Sequence, residues 1–218
     1  MTQQNLNCLK PKKFLSLGYH KLQYVGDLSK DFFVTIGCSF AKGTALDYQN
    51  TWSSKIAQLL NLEHINLSFE GSSLEYQFNV IKKVQKFLPQ HKFILWMHTF
   101  PIRSHQTNLS RIIGDKYARI QVNNLWTDVQ SWNKIQKYVN LVDTQKVLMT
   151  NCWHYNNKIK LLLKEKICKH NPQYFYNKHE PIDQATDNEH PGSLSHNKLA
   201  SDWFLHITKH FSHWITNK

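Results

Sequence analysis

Short apolar runs alternate with stretches of helical period along this chain, and that alternation limits the fold more than any other feature of its sequence. Asp31-Phe32-Phe33-Val34-Thr35-Ile36 is a nearly unbroken run rich in β-branched and aromatic residues, stopped by Gly37. Trp52, Ile56, Leu59 and Leu60 then recur at helical spacing, and Glu63 to Leu67 gives a second short strand. Leu74, Phe78, Ile81, Val84 and Leu88 mark a second amphipathic helix that Pro89 closes before a third strand, Lys92 to His98. Further on, Val129, Trp132, Ile135, Val139 and Val142 share a helix face, Gln145 to Thr150 reads as a strand, and Ile159 to Cys168 as a helix. The last helix carries Leu199, Trp203, Ile207, Phe211 and Trp214 on one side. Strands apolar on both faces must be covered on both faces, and parallel neighbours need long crossovers. The sequence therefore predicts an α/β protein, a three-layer α/β/α single domain with a mainly parallel central sheet. No repeat, linker or composition shift divides it, so one domain over 1–218 is expected, with a core of about 31–215 and an N-terminal extension, 1–30.

Composition removes several alternatives. The 218 residues are 41% hydrophobic and 13% aromatic, which is incompatible with a disordered chain. The four cysteines, Cys8, Cys38, Cys152 and Cys168, form no C-x-x-C pair, so neither a disulfide scaffold nor a four-thiolate zinc site is indicated. No stretch approaches the ~18 apolar residues needed to span a bilayer, and no apolar leader follows the basic segment Met1 to Lys13. The expected location is the cytoplasm. Lys and Arg number 27 against 15 Asp and Glu, a net charge of +12 before any of the 13 His is counted. Such a charge admits a polyanionic partner, nucleic acid included, but the basic residues are dispersed, which favours a solvated surface over a dedicated footprint.

In open parallel sheets ligands sit beyond the carboxyl ends of the strands, so the loops there are searched for chemistry. Gly37-Cys38-Ser39-Phe40-Ala41-Lys42-Gly43 follows the first strand, and a serine at a strand-to-helix junction can project its hydroxyl past the sheet edge. Asn66-Leu67-Ser68-Phe69-Glu70-Gly71-Ser72-Ser73 follows the second strand, where Gly71 can bring a backbone N–H close to a substrate oxygen. Asp187-Asn188-Glu189-His190-Pro191-Gly192 precedes the last helix. An Asp three residues before a His can hold one ring nitrogen and leave the other free as a base.

Taken in order, these blocks resemble the SGNH (GDSL-like) hydrolase family, which runs from a Gly-x-Ser after the first strand, through a glycine after the second, to a late Asp-x-x-His. The resemblance covers the chain from about Phe32 to the end of the last helix. It implies a flavodoxin-like α/β/α fold and a serine esterase or O-deacylase acting on a carbohydrate, lipid or small-molecule ester. It further implies Ser39 as nucleophile, His190 as general base and acid, Asp187 as its orienting carboxylate, and the N–H groups of Ser39 and Gly71 in the oxyanion hole, with no cofactor. Two positions depart from the family pattern. Cys38 stands where the name-giving block has Asp, as in Gly-Cys-Ser-Phe variants. After the third strand the chain reads Met97-His98-Thr99-Phe100-Pro101-Ile102-Arg103-Ser104, without the family's oxyanion Asn. Arg103 is the preferred substitute donor, with Thr99 and Asn108 behind it.

Two other classes are compatible with the same residues: an acyltransferase in which an alcohol replaces water, and a catalytically degenerate polyanion-binding member. His206, His210 and His213 share one helix face, yet no H-E-x-x-H pattern accompanies them, so no metal site is expected. Oligomeric state is not readable from the sequence.

Overall fold

The computed structural model describes residues 24–25, 27, 29–99, 128–142, 146–153, 157–169, 171, 173–178 and 180–216. Six strands, β1 (Tyr24–Val25), β2 (Phe32–Ile36), β3 (Glu63–Asn66), β4 (Ile94–His98), β5 (Val147–Asn151) and β6 (Tyr174–Phe175), form one sheet in the order β1-β3-β2-β4-β5-β6. Five are parallel, and β1 pairs antiparallel with β3 at the edge. The helices are α1 (Ser39–Lys42), α2 (Trp52–Leu60), α3 (Leu74–Phe87), α4 (Asp128–Leu141), α5 (Asn157–Leu162) and α6 (Ser193–Ile215).

The strand order follows from the crossovers. The chain steps from β2 outward to β3, then crosses back past β2 to β4 and continues in that direction to β5 and β6. Right-handed crossovers taken in opposite directions place their helices on opposite faces. Accordingly α2 packs with α6 on one side, while α3, α4 and α5 pack in sequence on the other. The result is the α/β/α fold the alternation predicts. Every residue of β2, β4 and β5 is buried, as strands covered on both faces require. Trp52 of α2 lies against Trp203 of α6 with ring centroids 6.5 Å apart, and Phe33 stacks on Phe93 at 5.1 Å.

Local chemistry sets the helix ends. Thr51 caps α2 by accepting from the N–H of Ser54 (3.3 Å), and Ser73 caps α3 by accepting from Tyr76 (3.3 Å). Asn61 closes α2 in the left-handed region at φ 51°. The segment expected as one helix to Cys168 is α-helical only to Leu162 and continues as a π-helix, Leu163–Cys168. The polar stretch after Asn171 contains the short strand β6 and an isolated bridge between Gln184 and Pro191. Helix α6 is kinked at Phe211 (φ −135°). No helix among the described residues is long and apolar enough to cross a membrane.

Candidate active site

The strand order reverses beside β2, the place at which open parallel sheets take their ligands, and the loop leaving β2 starts at that carboxyl edge. Gly37 is required there by close approach: a Cβ on it would stand 2.9 Å from the carbonyl oxygen of Met97 on β4 and would collide with the Cβ of Ala41. Cys38, extended at φ −96°, leads into α1, of which Ser39 is the first residue. The chain leaves this single turn through Gly43 at φ 76°, where the Thr51 side chain leaves no room for a Cβ. Ser39 is 7% exposed, and Phe40 beside it is buried.

The loop after β3 is tied to the first. The N–H of Phe69 donates to the carbonyl of Gly37 (2.9 Å), and the Ser72 hydroxyl donates to the same oxygen (3.0 Å). Between these anchors Gly71 turns the chain at φ 68°. At the rim Glu70 accepts from Lys42 Nζ (2.6 Å) and from the Thr44 hydroxyl (2.9 Å). The Lys42 hydrogen bond, outweighing partial burial, holds the Glu70 carboxyl below its usual range, with Thr44, the Lys42 charge and the more distant His190 acting in the same sense.

The third loop is a tight hairpin. The N–H of Ala185 donates to the carbonyl of His190 (2.8 Å), that of Gly192 to Asp183 (3.0 Å), and Asn188 turns the tip at φ 55°. Asp187 Oδ1 accepts from the N–H groups of Glu189 and His190 (3.1 Å each), while Oδ2 lies 2.6 Å from His190 Nδ1. Partial burial pushes the Asp187 carboxyl upward, but these donors together keep it below the usual carboxylate range. The His190 ring rests on Phe40, centroids 5.2 Å apart, which brings the Asp187–His190 pair to the residue next to Ser39. Thr186 fixes that approach by donating to the carbonyl of Ala45 (3.2 Å).

Of the residues singled out in the sequence, Ser39, Gly71, Asp187 and His190 thus stand on three loops joined to one another. Arg103 and Asn108 lie outside the described residues. Thr99 is fully buried, and its N–H donates to Gln77 Oε1 (3.3 Å). His206 and His210 lie with ring centroids 4.9 Å apart beside Phe175 and Phe211, and among the described residues no group of three His, Cys, Asp or Glu could hold a metal ion.

Sequence reading missed three residues here. Asp183 staples the hairpin to α6, accepting from the N–H of Leu194 (2.9 Å) and of Ser195 (2.8 Å) and from the Ser195 hydroxyl (2.6 Å). A Cβ on Gly192 would strike that carboxylate. His196, buried in the first turns of α6, accepts from the N–H of Trp52 at Nδ1 (2.9 Å) and packs on Trp153. Gln77 of α3 is fully buried behind the strand ends; its position three after Leu74 and four before Ile81, on the apolar stripe, was the available signal.

Neither a family model nor a curated protein matches this sequence. Solved structures do match the fold. A carbohydrate acetylesterase family member from Sinorhizobium meliloti superposes with a TM-score of 0.54 at 11% identity, over 82% of this chain and 98% of the other. A member of the lipolytic G-D-S-L family from Veillonella parvula gives 0.53 at 14%, over 83% and 98%. A family two carbohydrate esterase from Cellvibrio japonicus gives 0.51 at 15%, over 85% and 62%. At these identities the similarity is one of fold, and it matches the three-layer architecture with a mainly parallel sheet described above.

Proposed function

We propose that this chain is a serine esterase of the SGNH type, with Ser39 as nucleophile, His190 as general base and acid, and Asp187 as the carboxylate that orients it. The observation that carries this reading is the 2.6 Å Asp187–His190 pair, held against Phe40 at the loop that bears Ser39. With the Nδ1 proton committed to Asp187, Nε2 is the basic nitrogen. It removes the Ser39 hydroxyl proton as Oγ attacks the ester carbonyl, and returns that proton to the alcohol as the C–O bond breaks. Water, deprotonated by the same nitrogen, then releases the acid and restores Ser39.

The negative charge on the carbonyl oxygen is met by donors fixed before the reaction. We assign the N–H groups of Ser39 and Gly71 to this role, with Arg103 as third donor in place of the family's Asn. The substrate class we favour is an O-acylated carbohydrate, a reading supported by the fold shared with enzymes named as carbohydrate esterases. An acyltransferase would use the same acyl-enzyme with an alcohol in place of water.

The test is a fluorophosphonate probe together with an activated acetyl ester. Labelling is expected at Ser39, and Ser39→Ala is expected to abolish both labelling and hydrolysis. A folded protein that leaves Ser39 unlabelled, or a Ser39→Ala variant that keeps the wild-type rate, would sink the proposal. Hydrolysis much slower than transfer to added alcohols would identify a transferase.

A further inference from the structure

The loops after β2, β3 and β4 meet through one side chain. Gln77 Oε1 accepts from the indole N–H of Trp96 (2.8 Å) and from the backbone N–H of Thr99 (3.3 Å), so both of its lone pairs are used. Those donors have no alternative polarity, which fixes the amide with Nε2 toward Ser72. Nε2 donates to Ser72 Oγ (2.8 Å), and the single Ser72 hydroxyl proton is thereby directed to the carbonyl of Gly37 (3.0 Å). The relay runs in one sense from α3, through the loop that carries Gly71, to the peptide that leads into Ser39. Gln77, Trp96 and Thr99 are fully buried, and Ser72 is nearly so.

The acceptor arm of Gln77 serves the fold, since a leucine or methionine in its place would leave the buried Trp96 and Thr99 N–H groups without this acceptor. The donor arm, from Nε2 to Ser72, is not needed to satisfy either of those groups. What the amide adds is geometry: it ties the end of β4 and the loop after β3 to the loop after β2. Misplacement of reacting groups by about 1 Å can cost about a hundredfold in rate.

We propose that Gln77 is a positioning residue for the Ser39 loop, holding the Gly37 carbonyl through Ser72 and the end of β4 through Thr99, so that nucleophile and oxyanion donors keep their mutual register. This inference rests on the serine esterase reading. It assigns Gln77 no contact with substrate. Its action is on Ser39 and Gly71, so its loss lowers the rate of acylation more than the binding of ester.

The experiment compares wild type with Gln77→Glu and Ser72→Ala, measuring kcat and KM on an activated acetyl ester, the fluorophosphonate labelling rate and the melting temperature. For Ser72→Ala, kcat and labelling are expected to fall by about 10–100-fold with KM within about threefold of wild type. The carboxyl introduced by Gln77→Glu is buried, so its pKa is raised. Protonated, its O–H replaces the amide donor to Ser72; ionised, that donor is lost. The ratio of Gln77→Glu to wild-type kcat is therefore expected to approach unity at low pH and fall as pH rises, whereas the Ser72→Ala ratio stays flat. Taking ratios cancels any pH dependence the variants share with wild type.

If wild type is active and both variants keep kcat within about twofold, or lose activity only in proportion to the folded fraction, the inference is overturned and the esterase reading stands. If wild type is neither active nor labelled at Ser39, the esterase reading itself has failed and the inference falls with it.

Discussion

His190 and His196 flank the start of α6, six positions apart in the sequence, and their rings sit in opposite chemistries. His190 stands on the hairpin with Asp187 on Nδ1 and its other nitrogen uncommitted to that partner. His196 is buried, its Nδ1 accepts a backbone N–H from Trp52, and its Nε2 has no hydrogen-bond partner among the described residues. Burial pushes its pKa down to about 3, with Asp183 pulling upward and His190 pushing further down. A carboxylate on one nitrogen makes an imidazole suited to accept a proton on the other. A backbone donor in the same place makes it a neutral strut joining α6 to α2. Residue type and helical neighbourhood are shared, so the partner decides the role.

The largest expected effect comes from exchanging the partner. Asp187→Asn keeps an oxygen for the two backbone donors of the turn but presents an NH2 to His190 Nδ1, which enforces the wrong tautomer. A kcat loss of about 10³–10⁴-fold with an unchanged melting temperature is expected. A loss below about tenfold would break the contrast between the two histidines.

Next comes acid. His64, hydrogen-bonded to Thr35 and Tyr48 (2.8 Å each), and His98, bonded to the Tyr174 hydroxyl, are fully buried like His196 and are likewise held down to about 3, burial being the first cause. Their unfolded counterparts titrate near 6.5. Between those values the unfolded chain binds more protons than the folded one, so stability is complete above about pH 6.5 and is lost as pH falls toward 3. The slope reaches about 1.4 kcal/mol per pH unit for each histidine. Urea midpoints across that range check it, and a flat profile would mean these rings take up protons in the fold.

His196→Phe sharpens the comparison from the other side. The Trp52 N–H loses its acceptor, which costs about 1–3 kcal/mol of stability. The kcat of the folded fraction should stay within about threefold of wild type, and the acid slope should shrink by one proton. Equilibrium unfolding and steady-state assays on one preparation separate these outcomes. Glu70→Gln gives the smallest effect. The Glu70–Lys42 ion pair is partly exposed, so stability should change by less than about 1 kcal/mol, read from the same unfolding curves.

The layers and the three loops were legible because each depends on local pattern. Apolar runs such as Phe32 to Ile36 announce buried parallel strands, and a glycine with polar residues after such a run announces the loop. Strands β1 and β6 contain two residues each, too few for any periodicity, and exist only through their neighbours. Asp183 reaches Ser195 across twelve residues, and Gln77 meets Trp96 and Thr99 across nineteen and twenty-two, distances at which sequence carries no local signal. Gln77 was nevertheless visible as a polar residue in an apolar stripe. Asp187–His190 could be paired from spacing because both lie on one turn, whereas the role of His196 could not, since its partner Trp52 is 144 residues away.

Placing Ser39 and the Asp187–His190 pair on elements of such different burial gives the molecule two clocks. Strand β2 is covered on both faces and paired on both edges, so its amides should exchange with solvent only through global opening. The hairpin from Asp183 to Gly192 has its tip, Thr186 to Glu189, in solvent and is held by its own turn bonds, Thr186 and the Asp183 staple. Its amides should exchange earlier, through local opening. In mild denaturant the Ser39 loop would then outlast the Asp187–His190 pair, and under the proposed mechanism ester hydrolysis would decline while the fluorescence of the buried Trp52 and Trp203 still reports a folded core.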